Sequence, residues 1–275
     1  MSDKNEFISR KVRAMDKIWA IVVKDLQDAY RFKFFLSTRF FTPVLNMVSF
    51  LLVYAAVFQH VNDVGYVQKS NYVTYLVTGF LAYNFFRMGW NATRLKMEKN
   101  MQTLEGVLLA PINRLYLLIA KALRAFLELS IDTIIFIILL IYLRPTVYPV
   151  ELIIGIAAIA LLAVIWISID FVVSAIELSS EGIAATISEY LPRAVMLISA
   201  VYYPISSLPK WLQDIALLNP VYHAVILFRS AFIPQIFIVP PILSFAYLLI
   251  LAITLPFLSV RIFNYLFTRF GIKGY

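Results

Sequence analysis

Residues 40–58 read FFTPVLNMVSFLLVYAAVF, nineteen positions without a charge. A helix rises about 1.5 Å per residue, so this stretch covers about 28 Å, close to the hydrocarbon core of a bilayer at about 30 Å. Working outward, further apolar stretches occupy 70–86, bracketed by Lys69 and Arg87; 125–143, ending at Arg144; and 152–176, which contains Asp170. A fifth, 191–208, is short and broken by Pro204, and a sixth fits inside the charge-free residues 230–260. The expected fold is an all-α membrane protein with six transmembrane helices.

Composition agrees. The chain has 275 residues, of which 61% are hydrophobic and 15% charged, against about half and about a quarter in soluble domains. Its balance of 24 Lys and Arg against 16 Asp and Glu gives a net charge of +8, the kind of excess that sits beside lipid headgroups rather than on nucleic acid. There is no cysteine, and the two histidines, His60 and His223, lie far apart. A disulfide scaffold, a thiolate zinc site and a cysteine nucleophile are therefore excluded, and no metal site is expected.

An even number of spans puts both termini on one side, and the basic residues decide which. Of the 24 Lys and Arg, 20 fall with the termini, the 87–124 connection and Arg193, while Lys69, Arg144, Lys210 and Arg229 fall opposite. The richer face is expected to be cytoplasmic, in a multi-pass protein of the plasma (inner) membrane. Residues 1–35 are too charged for a cleaved signal peptide. The chain reads as one membrane domain: a cytoplasmic amphipathic N-terminus (1–39), six helices (40–260) and a cytoplasmic tail (261–275).

Three connections carry pattern. Ile18, Trp19, Val22, Leu26, Ala29 and Tyr30 share one helical face and Lys17, Lys24, Asp25, Asp28 and Arg31 the other, which predicts an amphipathic helix at the cytoplasmic interface, as an anchor, a docking surface or both. Within 87–124, residues 95–109 mix charges with Leu104, Val107, Leu108 and Leu109 before Pro111 stops any helix. The region before the sixth span holds Pro204, Pro209, Pro220, Pro234, Pro240 and Pro241. These cut it into pieces too short to cross, expected as an interfacial or re-entrant pair. No glycine pattern for cradling phosphate occurs, so ATP, if used, is bound elsewhere.

Three stretches resemble the type-2 permeases of ABC exporters, a family that carries drugs, lipids or lipid-linked polysaccharides. Residues 102–121, QTLEGVLLAPINRLYLLIAK, are similar to its cytoplasmic "TLE" segment, and 201–229, VYYPISSLPKWLQDIALLNPVYHAVILFR, to its "yPisslPxwl…NP…R" segment. Residues 75–86, with Gly79, resemble its second span less specifically. Gln102 stands where the family usually has glycine. The resemblance implies a homodimer, or a pairing with a sibling permease, carrying two ATP-binding cassette subunits that hold ATP and Mg. It also implies a coupling helix at residues 97–109, with Met97, Leu104, Glu105 and Leu108 in the ATPase groove and Lys24, Asp28 and Arg31 as a second contact. The outer re-entrant helices would then contain Pro209, Trp211, Asn219, Pro220 and Arg229.

Within the spans, Lys121, Arg124, Glu128 and Asp132 follow steps of three and four on one face. Arg124 with Glu128 reads as an ion pair, and Asp132 needs a partner from another helix or water. Asp170 shares a face with Glu177. Tyr72, Tyr75, Tyr83 and Phe86 form a stripe on the second span, in register with Gly79 and Trp90. Together with Asp132 and Asp170 they are candidates for lining a translocation path, and ordinary interhelical packing explains them as well. The expected function is the permease subunit of an ATP-driven exporter of an amphipathic substrate. The alternative is a proton-coupled secondary transporter using Glu128, Asp132 or Asp170. No catalytic constellation is present, so an enzyme is not expected.

Overall fold

The computed structural model describes residues 14–31, 33–59, 63–64, 67–90, 92–93, 95, 98, 106, 113–179 and 183–270. They form an all-α architecture with one two-residue hairpin. In chain order the elements are α1 (Ala14–Arg31), α2 (Lys33–Val57), β1 (Asp63–Val64), β2 (Val67–Gln68), α3 (Tyr72–Trp90), α4 (Arg114–Leu143), α5 (Pro149–Ser179) and α6 (Ile183–Leu197). A 3-10 turn (Ile205–Ser207), α7 (Lys210–Ala216), α8 (Pro220–Arg229) and α9 (Pro241–Phe270) follow.

Local chemistry sets many of the boundaries. The side chain of Asn113 accepts from the Leu115 amide at 2.9 Å and caps α4, which ends where Arg144 turns left-handed at φ 46. Asn219 caps α8 in the same way, accepting from Val221 at 3.0 Å, with Pro220 in the first turn, where a missing amide costs nothing. Prolines also open α5 and α9.

Contacts between ends show that the long helices α2, α3, α4, α5, α6 and α9 alternate in direction. At one end the start of α3 meets the chain just past α6, through a Tyr75 to Ala200 hydrogen bond, and the start of α9 meets α8, through His223 and Ser244. At the other end Arg124 near the start of α4 bonds Ala92 past α3, and Phe171 of α5 stacks on Phe263 of α9 at 4.4 Å. Between these ends, α8 lies against α3 and α5. Gly155 permits that approach, since a Cβ there would sit 2.6 Å from the Phe228 Cα. Phe86 of α3 meets Trp166 of α5 edge-on at 4.6 Å.

Two helices among the described residues are long and apolar enough to cross a bilayer on length and composition, Pro149–Leu178 and Pro241–Leu266; the apolar part of α2 is shorter, Met47–Val57. Several boundaries depart from expectation. The fifth stretch is expected at 191–208, but α6 runs Ile183–Leu197: Glu189 and Arg193 pair at 3.1 Å on its exposed side, so both charges sit within the helix, which also carries Pro192. α4 starts eleven residues before the expected 125, because Asn113 caps it. α2 starts at Lys33, inside the expected N-terminal segment, and α9 continues to Phe270, so most of the expected 261–275 tail is helix.

On α1, Ile18, Ile21 and Val22 are buried against Leu117, Leu118 and their neighbours and Asp25 is buried beside them, so the helix packs on protein along this face; Trp19, read on the apolar face with Ile18 and Val22, is 56% exposed.

Candidate functional site

Burial of Lys121 creates the problem that organises one end of the molecule. Its side chain is 1% exposed, and a buried ammonium needs opposite charge and hydrogen-bond acceptors. Both come from outside α4. Asp25 Oδ2 of α1 accepts from Lys121 Nζ at 2.8 Å, and Glu98 Oε1 of the 92–98 segment accepts at 2.7 Å. Lys24 donates to the same Glu98 oxygen at 3.0 Å, with Asp25 at 3.5 Å and Asp28 at 3.9 Å. Burial of Lys24 works against its charge, but these three carboxylates outweigh burial and hold its pKa above the usual lysine value.

One turn along α4, Arg124 donates to Ala92 O at 3.0 Å and pairs with Glu128 at 3.1 Å, the ion pair expected from spacing; all three residues are buried. The neighbouring Thr93 is fastened to α5. Its amide and hydroxyl donate to Asp170 Oδ2 at 2.9 and 2.7 Å, which leaves Ser174 Oγ to donate to Thr93 Oγ1 at 2.7 Å. A continuous polar chain therefore ties α1, the segment after α3, α4 and α5 together. Asp25, Glu98 and Asp170 each accept from another element, so the network fastens these elements to one another.

A second buried centre lies at the opposite end. Arg229, with no exposed surface, donates from Nη1 to Ala200 O at 2.9 Å and from Nη2 to Val201 O at 3.0 Å, and its Nε lies 3.4 Å from Thr78 Oγ1. The guanidinium stands 3.5 Å over the Tyr75 ring, whose hydroxyl also donates to Ala200 O at 3.0 Å. Glycine at 79 is required here, because a Cβ would sit 2.4 Å from Arg229 Nη2 and 2.5 Å from Val201 O.

A family model for ABC-2 type transporters matches residues 16–233. The chain belongs to the ABC-2 type transporter family. No curated protein matches it. ABC-2 permeases are membrane transport subunits, generally not catalytic themselves, and generally work with ATP-binding subunits. The ABC-2 match opens inside α1 and closes four residues past Arg229, so both buried centres fall within it.

In this ABC-2 permease the expected site residues divide. Lys24 and Asp28 join the Lys121 network, whereas Arg31 is exposed at the end of α1. Met97, Leu104, Glu105 and Leu108 lie outside the described residues; Gly106, in the same stretch, is helical and exposed. The aromatic stripe is divided too. Tyr72 packs on Tyr54 of α2 and on Phe58 just past it, Tyr75 lies under Arg229, Phe86 is enclosed against Trp166, and Tyr83 is half-buried. Asp170 is held by Thr93, and the side chain of Asp132 lies outside the described residues. Pro209 precedes α7, Trp211 is 63% exposed on it, and Asn219 also donates to Val195 O at 3.1 Å.

Sequence reasoning missed Asp25 and Glu98. Asp25 had a signal: it lies seven residues after Ile18 and four after Ile21, on the buried face. Glu98 had none, because its partner is set by the path of the chain after α3.

Proposed function

We propose that this ABC-2 permease is the membrane-spanning subunit of an ATP-driven exporter that moves an amphipathic substrate, a drug, lipid or lipid-linked polysaccharide, out of the cytoplasm or inner leaflet. In this reading α2, α3, α4, α5, α6 and α9 are six spans of the plasma (inner) membrane. Both termini and the Lys121 network face the cytoplasm, and α7 with α8 forms the outer re-entrant pair. The 19 Lys and Arg at the termini and in the 87–124 connection, of 24 in the chain, support that orientation. The outward apolar side chains of α4 and α9, among them Ile137, Ile138, Ile141, Ile250, Ile253 and Phe257, support contact with lipid and with a second permease. Two ATP-binding subunits bring ATP and Mg.

The observation that carries the reading is the fastening at Lys121. The two elements that face the ATPase in this proposal, α1 and the connection after α3, share one buried cation on α4. Closure of the ATP-binding subunits on residues 97–109 would therefore move α1, α3 and α4 together and bias the transporter between two states, with no bond made or broken in this chain. Tyr83, half-buried on α3, and Asp132 are the residues of the aromatic and acidic sets that we place along the path; Tyr72, Tyr75, Phe86 and Asp170 support its wall.

The test is co-purification from the native membrane in mild detergent, comparing the wild type with Leu104→Asp combined with Glu105→Lys. An ATPase with a phosphate-binding loop is expected with the wild type and lost with the variant. Absence of any ATPase from both, together with proton-driven uptake by the purified chain, would replace this reading with a secondary transporter.

A further inference from the structure

α6 has fifteen residues and covers about 22 Å, short of a hydrocarbon core of about 30 Å. Beyond Leu197 the chain continues without helix, so its carbonyls need partners that helix geometry no longer supplies. Side chains from other elements provide them. Asn219 donates to Val195 O in the last turn of α6 at 3.1 Å, and beyond the helix Tyr75 and Arg229 share Ala200 O, Arg229 also donates to Val201 O, and Tyr54 donates to Tyr202 O.

Two features make this arrangement more than a cap. Ala200 sits at φ 54, left-handed backbone that a residue with a Cβ rarely adopts. Among the described residues no carboxylate lies within ion-pair distance of Arg229; its charge meets two carbonyl dipoles, a hydroxyl and the Tyr75 ring. Thr78 lies six residues into α3, about 9 Å along the helix from its start. A charge at such a depth is costly, and a neutral donor would serve if capping were the whole role.

From this geometry we propose that Arg229 is a positioning residue for transport: its guanidinium latches the strained turn after α6 against α3 and keeps the outer end of the path closed. The proposal rests on the reading that the Arg229 end faces outward. α3 connects the latch to the fastening directly. Its first half carries Tyr75, Thr78 and Gly79, and the chain leaving its last residue, Trp90, supplies Ala92, Thr93 and Glu98 to the Lys121 network. A shift of α3 driven from the Lys121 end withdraws the Tyr75 ring and Thr78 from Arg229, frees the carbonyls of Ala200 and Val201, and lets the turn relax.

The absence of cysteine makes the test clean. Val201→Cys places a thiol on the latched turn while keeping its carbonyl, and Trp211→Cys, on the exposed face of α7, reports the side of the membrane. Both are labelled in intact cells expressing the full chain, with a membrane-impermeant maleimide. Trp211→Cys is expected to label from outside in every background. Val201→Cys is expected to label slowly in the parent and roughly tenfold faster with Arg229→Gln, which removes a charge-assisted bond. Ala200→Gly, which fits the left-handed turn, should slow it, and Ala200→Val should speed it. Val201→Cys rates that ignore the Arg229 and both Ala200 changes, with Trp211→Cys labelled from outside, overturn the latch alone. Trp211→Cys labelling only in inside-out vesicles overturns the orientation and the latch with it. If Arg229→Gln does not fold, the opposed effects of the two Ala200 changes decide the matter.

Discussion

Lys121→Met removes the cation shared by α1 and the segment after α3 while keeping an unbranched side chain of similar length. Asp25 and Glu98, 6% and 7% exposed, lose donors at 2.8 and 2.7 Å. Stripping one partner from a buried ion pair costs about 3–5 kcal/mol. Lys24 remains 3.0 Å from Glu98 and 3.5 Å from Asp25 and retains part of the attraction, which brings the expected loss to about 3 kcal/mol. At about 2–4 °C per kcal/mol the melting midpoint should fall by about 6–12 °C, read in detergent as the loss of monodisperse protein after heating. Adding Glu98→Gln removes a buried negative charge that has lost one of its donors and should restore part of the fall, a coupling that a double-mutant cycle isolates. A single variant melting with the wild type would refute the fastening. A single variant that melts early without any gain from Glu98→Gln would show that lost packing, rather than charge, explains the effect.

Other predictions follow from the same contacts. Gly79→Ala drives a Cβ into Arg229 Nη2 at 2.4 Å and Val201 O at 2.5 Å, and overpacking of this kind costs about 1–3 kcal/mol; adding Arg229→Ala should leave part of the loss, because the backbone oxygen stays, which melting midpoints will check. Asn219→Ala loses both the cap of α8 and the bond to Val195 O, an expected cost of about 2 kcal/mol in the same assay. Glu189→Ala removes an ion pair whose side chains are 57% and 68% exposed and should change stability by less than about 0.5 kcal/mol; a larger fall would mean that a partner covers this face.

Charge-free runs and prolines carried most of what the sequence revealed about the fold. The prolines cut the region before the sixth span into pieces, and the structure starts α8 at Pro220, capped by Asn219, and α9 at Pro241, because a capping side chain and a missing amide act locally. The same logic misplaces α6, because a search for apolar runs leaves out Glu189, whose pairing with Arg193 on an exposed face keeps it inside the helix. The Arg124–Glu128 pair was legible from its four-residue step, being local to one helix. Lys121 was conspicuous as a cation beside an apolar run, yet its partners lie 96 and 23 residues away, and no periodicity encodes contacts at those separations. Arg229 poses the same difficulty: its carbonyl partners carry no side-chain signature, and Gly79 reads as a packing glycine until the guanidinium above it is seen.

The seating of α8 between α3 and α5 has a consequence for how the protein exchanges its amide hydrogens. Phe228 rests on Gly155, Arg229 reaches over Gly79, and Phe86 closes against Trp166, so these three helices can part only by giving up backbone-close contacts together. Deuterium should therefore enter this slab last and all at once, in a single cooperative opening. Residues 198–203, held by side chains from other helices rather than by a ladder of their own, should take it up in a separate and earlier step.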